Sequence, residues 1–137
     1  AYKNEDFSTA EAYYAAVAKN ATGALKAESL YYNAFFKNKE KAYESSNKIV
    51  QKLIADYSAY KYWGVKSYVI MAKNYDGLKD AYQATYVLEN IIKNFKEFDD
   101  VILEAQTTLD KIKENEAKIN RSVKQEEEIP TEEKTKN

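Results

Sequence analysis

The run AESLYYNAFFKNKEKAYESSNKIVQKLIADY (residues 27–57) returns 38 residues later as VKSYVIMAKNYDGLKDAYQATYVLENIIKNF (residues 65–95). Laid over one another, the two put Ser29 on Ser67, Ala34 on Ala72, Ser46 on Ala84 and Val50 on Leu88. They go on to put Leu53 on Ile91, Ile54 on Ile92 and Tyr57 on Phe95. Small residues fall on small ones, aliphatics on aliphatics, and the closing aromatic on an aromatic. A partial copy 36 residues earlier pairs Phe7 with Tyr43, Ala10 with Ser46, Tyr14 with Val50 and Val17 with Leu53. Periods of this size belong to stacked helix pairs, in which each unit covers its neighbour's apolar face. Arrays of that kind most often bind other proteins.

The composition agrees with an all-α chain. Only three glycines and one proline interrupt 137 residues, and the apolar residues recur at helical spacing. That length suits one core rather than two domains. A net charge of −1 supplies no counterion-release drive towards nucleic acid, and no acid-free lysine cluster offers a handle to an anionic membrane surface. No run of about 18 apolar residues is present to insert directly into a bilayer. Without cysteine there is neither a disulfide framework nor thiolate chemistry.

Punctuation places the helices. Asp6 or Ser8 caps a first helix to about Asn20, and Gly23 ends it. Further helices are expected over about 25–38, 40–57, 62–75 and 79–95, with Asp76 and Gly77 forming the turn between the last two. Asp99 caps a sixth helix with Val101, Ile102, Ala105, Leu109 and Ile112 on its inner face. Residues 121–137 hold five glutamates, four basic residues and no aromatic, so a disordered charged tail is expected there. The domain reading is a helical unit over 1–120, made of a partial repeat 1–23, repeats 24–58 and 60–96, and a capping helix 98–120.

The repeat resembles the tetratricopeptide repeat, a helix–turn–helix unit of about 34 residues. With Val65 as the first motif position, the signature sites hold Tyr68, Met71, Ala72, Tyr75, Ala84, Leu88, Ile91 and Lys96. Ala72 and Ala84 are the telling pair, because the two helices cross where only small side chains permit close approach. The unit starting at Ala27 supplies Leu30, Ala34, Ser46, Val50 and Leu53 and departs from the pattern at Asn33 and Lys37. The stretch from Tyr60 to Tyr68, with Asp80 to Thr85 following, is similar to the last repeats of large bacterial cell-envelope proteins of this kind. The resemblance implies a TPR-like α-solenoid of antiparallel helix pairs with a C-terminal capping helix. It also implies a bacterial periplasmic or outer-membrane location, a protein or peptide partner, and no enzymatic activity. Because Tyr2 to Phe7 resemble a helix end, a turn and a helix start, the chain is read as the C-terminal part of a longer array.

The sequence offers little for catalysis or for a cofactor. It has no histidine or cysteine, hence no usual nucleophile–base pair and no nitrogen or sulfur metal site. Asp99 and Asp100 read as helix-capping acids, and Glu126 to Glu128 as a solvated charge run. Asn74-Tyr75-Asp76-Gly77 fails as a calcium loop, since Ala72 stands where the first acid belongs. Of the 13 tyrosines, Tyr14, Tyr43, Tyr57, Tyr68 and Tyr75 fall at motif positions that pack between helices. In the family, the first helix of each unit lines a concave groove, and its positions here hold Glu28, Tyr31 and Phe35, then Lys66, Val69 and Lys73. Tyr31 and Phe35 occupy the places where chaperone-binding members hold a carboxylate with Lys and Asn, which disfavours a chaperone adaptor. Two alternatives remain beside a protein-binding scaffold. One is a fragment of a TPR-like, glycan-binding nutrient-uptake lipoprotein; the other is a self-associating module that pairs through the helix at 99–120.

Overall fold

A computed structural model describes residues 8–15 and 23–136, with side-chain surroundings as far as Lys124. The described residues are all-helical, without a strand. A short helix α1 covers 8–15. It is followed by α2 (Gly23–Lys39), α3 (Tyr43–Asp56), α4 (Lys61–Gly77), α5 (Ala81–Asn94) and α6 (Asp99–Lys136). The cap expected at Asp6 and the helix end expected at Asn20 lie outside the described residues.

The sequence period is also a backbone period. Both α2 and α4 are 17 residues long, both α3 and α5 are 14, and each second-unit helix starts 38 residues after its counterpart. The connecting hydrogen bonds recur at the same interval. Glu40 N–H donates to Phe36 O (3.0 Å) as Leu78 does to Asn74 O (2.9 Å), and Ala42 N–H to Lys37 O (2.9 Å) as Asp80 does to Tyr75 O (2.8 Å). The second connection matches too: Tyr60 N–H to Tyr57 O (3.0 Å) is repeated by Phe98 N–H to Phe95 O (3.3 Å).

These bonds make each α2–α3 and α4–α5 turn a Schellman closure, which requires one left-handed residue just past the helix. Lys41 (φ 64°) and Lys79 (φ 67°) hold that place. Gly77, expected in the turn, is instead the last residue of α4 and does not adopt positive φ. It is glycine for another reason, since a Cβ there would lie 2.3 Å from Cζ of Tyr43, whose ring rests on the helix end. Gly23, expected to end the first helix, opens α2 with φ +65°. Asp80 caps α5 by accepting from Gln83 N–H at 3.1 Å.

Packing sorts the helices into two rows. In one row α2 packs by α4 and α4 by α6; in the other lie α3 and α5, whose backbones do not approach each other. Helix α3 packs on α2 and α4, and α5 packs on α4 and α6. Two cores result. Leu30, Tyr31, Ala34, Val50 and Leu53 enclose Ile70 and Met71 of α4. The opposite side of α4 gives Val65, Val69 and Ala72 to a core with Ala84, Leu88, Ile91, Val101, Ala105, Leu109 and Ile112. Ala34, Ala72 and Ala84 are all fully buried, as a close helix crossing demands.

Among the residues of α6 whose side chains are described, the last buried one is Ile112. The side of α6 in register with Val65, Tyr68 and Ala72 carries Leu103, Gln106 and Asp110, all exposed. The helix then continues to Lys136, through the stretch where composition alone led to an expectation of disorder. Glutamate, lysine, glutamine and arginine are good helix formers, which suits a helical backbone there.

Candidate functional site

The six positions expected to line a groove lie on α2 and α4, but they do not form an open surface. Tyr31 is only 4% exposed and Val69 is fully buried. This corrects their placement: the neighbouring row helix closes over them, so they serve the inter-helix cores. Lys66 lies over the rings of Tyr31 (5.4 Å) and Tyr62 (5.5 Å). Lys73 reaches across to Glu104 of α6 at 3.2 Å. Phe35 is half-buried beneath Lys39, and Glu28 is half-buried on the same helix. The structure thus brings Tyr31 and Lys66 together and occupies Lys73 with a neighbouring helix.

Aromatic rings fill this side. Tyr14 of α1 stacks on Tyr32 at 4.5 Å, Tyr31 meets Trp63 at 5.5 Å, Trp63 meets Tyr62 at 5.2 Å, and Tyr62 meets Phe98 at 5.5 Å. The run ties α1, α2 and α4 to the residue before α6. Tyr62 O–H also donates to Asp100 Oδ2 at 2.5 Å, fastening the first turn of α4 to that of α6. That bond, with burial and the Asp100 charge, pushes the phenol up to about 12, and the same bond holds the Asp100 carboxyl below its ordinary value. Lys61 donates to Glu97 at 2.8 Å and depresses its carboxyl likewise. These are exposed links between successive units, and no acid–base pair aimed at a substrate emerges from them.

The accessible aromatic surface lies on the other side. Because the backbones of α3 and α5 do not approach each other, a groove runs between them with Tyr68 of α4 at its floor. Two adjoining cavities share Tyr68 and Phe95. One, of about 260 Å³, is completed by Tyr86, Val87, Asn90 and Ile91. The other, of about 130 Å³, is bounded by Ile54, Tyr57, Tyr60 and Val65. On the outer face of α5, Tyr82 and Tyr86 are 79% and 63% exposed, one turn apart. Residues 38 earlier on α3 are Glu44 and Lys48, ordinary solvent-facing charges.

Sequence reasoning assigned Tyr57 and Tyr68 to helix packing and did not single out Tyr82 or Tyr86. The departure of these two from their repeat counterparts was the signal available. Where two units share a scaffold, an exposed position that turns from charged to aromatic has no packing reason to do so.

Among the described residues, no group of three or more metal-capable side chains comes together, and no helix is long and apolar enough to cross a membrane. No family model matches the chain, nor does any curated protein or solved structure.

Proposed function

We propose that this chain is a non-catalytic protein-binding scaffold, a TPR-like solenoid segment in which α2–α3 and α4–α5 are successive units and α6 is the cap. The observation that carries the functional reading is the tyrosine-rich groove between α3 and α5. Tyr82 and Tyr86 are open to solvent while Val65, Val69, Ala72, Ala84, Leu88 and Ile91 of the same unit are buried. Tyrosine is favoured at protein interfaces because it offers contact area with few rotatable bonds and a polar tip. A groove held open by packed helices loses little ordering entropy on binding. On α6, Gln106 and Asp110 stand where α4 has Tyr68 and Ala72, which supports the capping role. The resemblance of Tyr60 to Tyr68 and Asp80 to Thr85 to cell-envelope repeat proteins is what favours work in the bacterial periplasm or at the outer membrane.

The test is affinity capture from the source cells with the wild-type chain and with a Tyr82→Ala, Tyr86→Ala variant. Both side chains stand outside the core, so the variant keeps its helical signal and melting temperature. Loss of a wild-type partner is expected. A folded variant that retains every partner at wild-type affinity overturns the groove as the binding surface.

A further inference from the structure

The two stacking interfaces share a backbone plan but differ sharply in polarity around one buried position. Phe36, Asn74 and Ile112 follow at intervals of 38 on α2, α4 and α6, and all three are buried. Asn74 is fully enclosed, yet it is an amide. Its nitrogen donates to Ser46 Oγ and to Asn47 Oδ1 of α3, both at 2.8 Å, and its oxygen accepts from Asn38 Nδ2 of α2 at 2.8 Å. Ser46 Oγ in turn donates to Ala34 O at 2.7 Å. Among the described residues no buried side-chain polar atom lacks a partner. In the next interface the four hub positions hold Ile112, Ala84, Thr85 and Asp76, with Ala84 and Ile112 in the apolar core and the Thr85 hydroxyl bonded back to Ala81 O at 2.9 Å.

We propose that the Asn74 hub is a register key, admitting α4 onto the α2–α3 face and onto no other. Much of the two faces matches, with Ala34 for Ala72, Val50 for Leu88 and Leu53 for Ile91, while Tyr31 gives way to Val69 and Ile70 to Thr108. Side-chain size thus separates correct from shifted stacking only in part, and the hub adds a polar penalty to the shifted one. If α4–α5 of one copy stacked on α4–α5 of another, displacing α6, the contact would be head-to-tail and would not close. The hub opposes this, because Asn74 would meet Ala84 in place of the acceptor Ser46 and the carboxylate of Asp76 in place of the donor Asn38, at a cost of roughly tenfold or more in the pairing constant. If α6 took the place of α4, Ile112 would leave Asn47 and Asn38 unanswered. A single polar group that fixes register in an otherwise apolar interface is the best-supported use of buried polarity.

The experiment makes the two interfaces alike. Asn38→Asp, Ser46→Ala, Asn47→Thr and Asn74→Ile together write the hub positions of the second interface into the first. Asp76→Asn, Ala84→Ser, Thr85→Asn and Ile112→Asn write those of the first into the second. Mass is read by sedimentation velocity across concentration, and conformational uniqueness by the number of amide signals per residue. The expected result for the first set is retained helicity, with a weight-average mass rising with concentration above that of wild type, or doubled signals near residues 46 and 74. Wild-type mass and a single signal set for the first variant overturn the proposal. If the first variant does not fold, the second decides: shifted or doubled species support the key, and a uniquely folded chain of wild-type mass overturns it.

Discussion

Gly77→Ala is expected to destabilise the protein, although the same change elsewhere in α4 should stabilise it. An added Cβ at Gly77 would fall 2.3, 2.5 and 2.6 Å from three carbons of the Tyr43 ring. Comfortable carbon contacts are about 3.5–4.0 Å, so the ring must move by more than about 1 Å and give up its seat on the helix end. Such overpacking costs about 1–3 kcal/mol. Against it stands the helix-propensity gain of alanine over glycine, about 1 kcal/mol at most at a helix end. The net expectation is a loss of about 1 kcal/mol, or roughly 3 °C in melting temperature for a chain of this size. Gly64 is the internal control, because its added Cβ meets only Leu53 Cδ2 at 3.9 Å. Gly64→Ala should therefore gain about 1 kcal/mol. Urea unfolding followed by circular dichroism measures all of these, and Tyr43→Ala supplies the decisive background. With the ring gone, Gly77→Ala should change sign and become stabilising. Gly77→Ala stabilising the wild type as much as Gly64→Ala would refute the seating of Tyr43 on Gly77.

Replacing Lys41 or Lys79 by glycine should stabilise by about 0.5–1 kcal/mol each, because both lysines hold left-handed backbone that glycine adopts freely; thermal melts check this. Tyr62→Phe should flatten the alkaline limb of the stability profile. The folded phenol, raised to about 12, contributes stability that is complete below pH 10 and lost as pH rises towards 12, which paired urea titrations of variant and wild type will resolve. Ala84→Leu should cost about 1–3 kcal/mol at the fully buried helix crossing, with unchanged melting arguing against the repeat register. Ending the chain after Asn120 should leave the melting temperature nearly unchanged, whereas ending it at Asp99 uncovers Leu88 and Ile91 and should cost at least about 3 kcal/mol.

The backbone plan was legible because it is written twice. Helix order, the Ala34, Ala72 and Ala84 crossings and the inner stripe of α6 follow from a period of 38 and from the spacing of apolar residues, whereas the expected spans made the first helix of each unit too short and the second too long. Gly77 was misread because glycine usually marks the left-handed residue after a helix, while here that residue is Lys79 and the glycine makes room for a ring. Tyr31 and Val69 were placed in an open groove because register tells which helix face a residue occupies, not how closely the next helix covers that face. Asn74 was weighed only within a failed calcium loop; its partners Asn38, Ser46 and Asn47 are brought to it by tertiary packing. The groove between α3 and α5 depends on two helix backbones staying apart, a relation between elements distant in the chain.

The most direct test of a binding role for that groove is photo-crosslinking with a photoreactive phenylalanine analogue placed at position 86 and, separately, at position 103. Both positions are solvent-exposed, one beside the groove and the other on the far side of α6. Irradiation in the source cells should yield a discrete protein adduct from position 86 and none from position 103. An adduct from 103 with silence at 86 would contradict the assignment of the α3–α5 groove as the recognition surface.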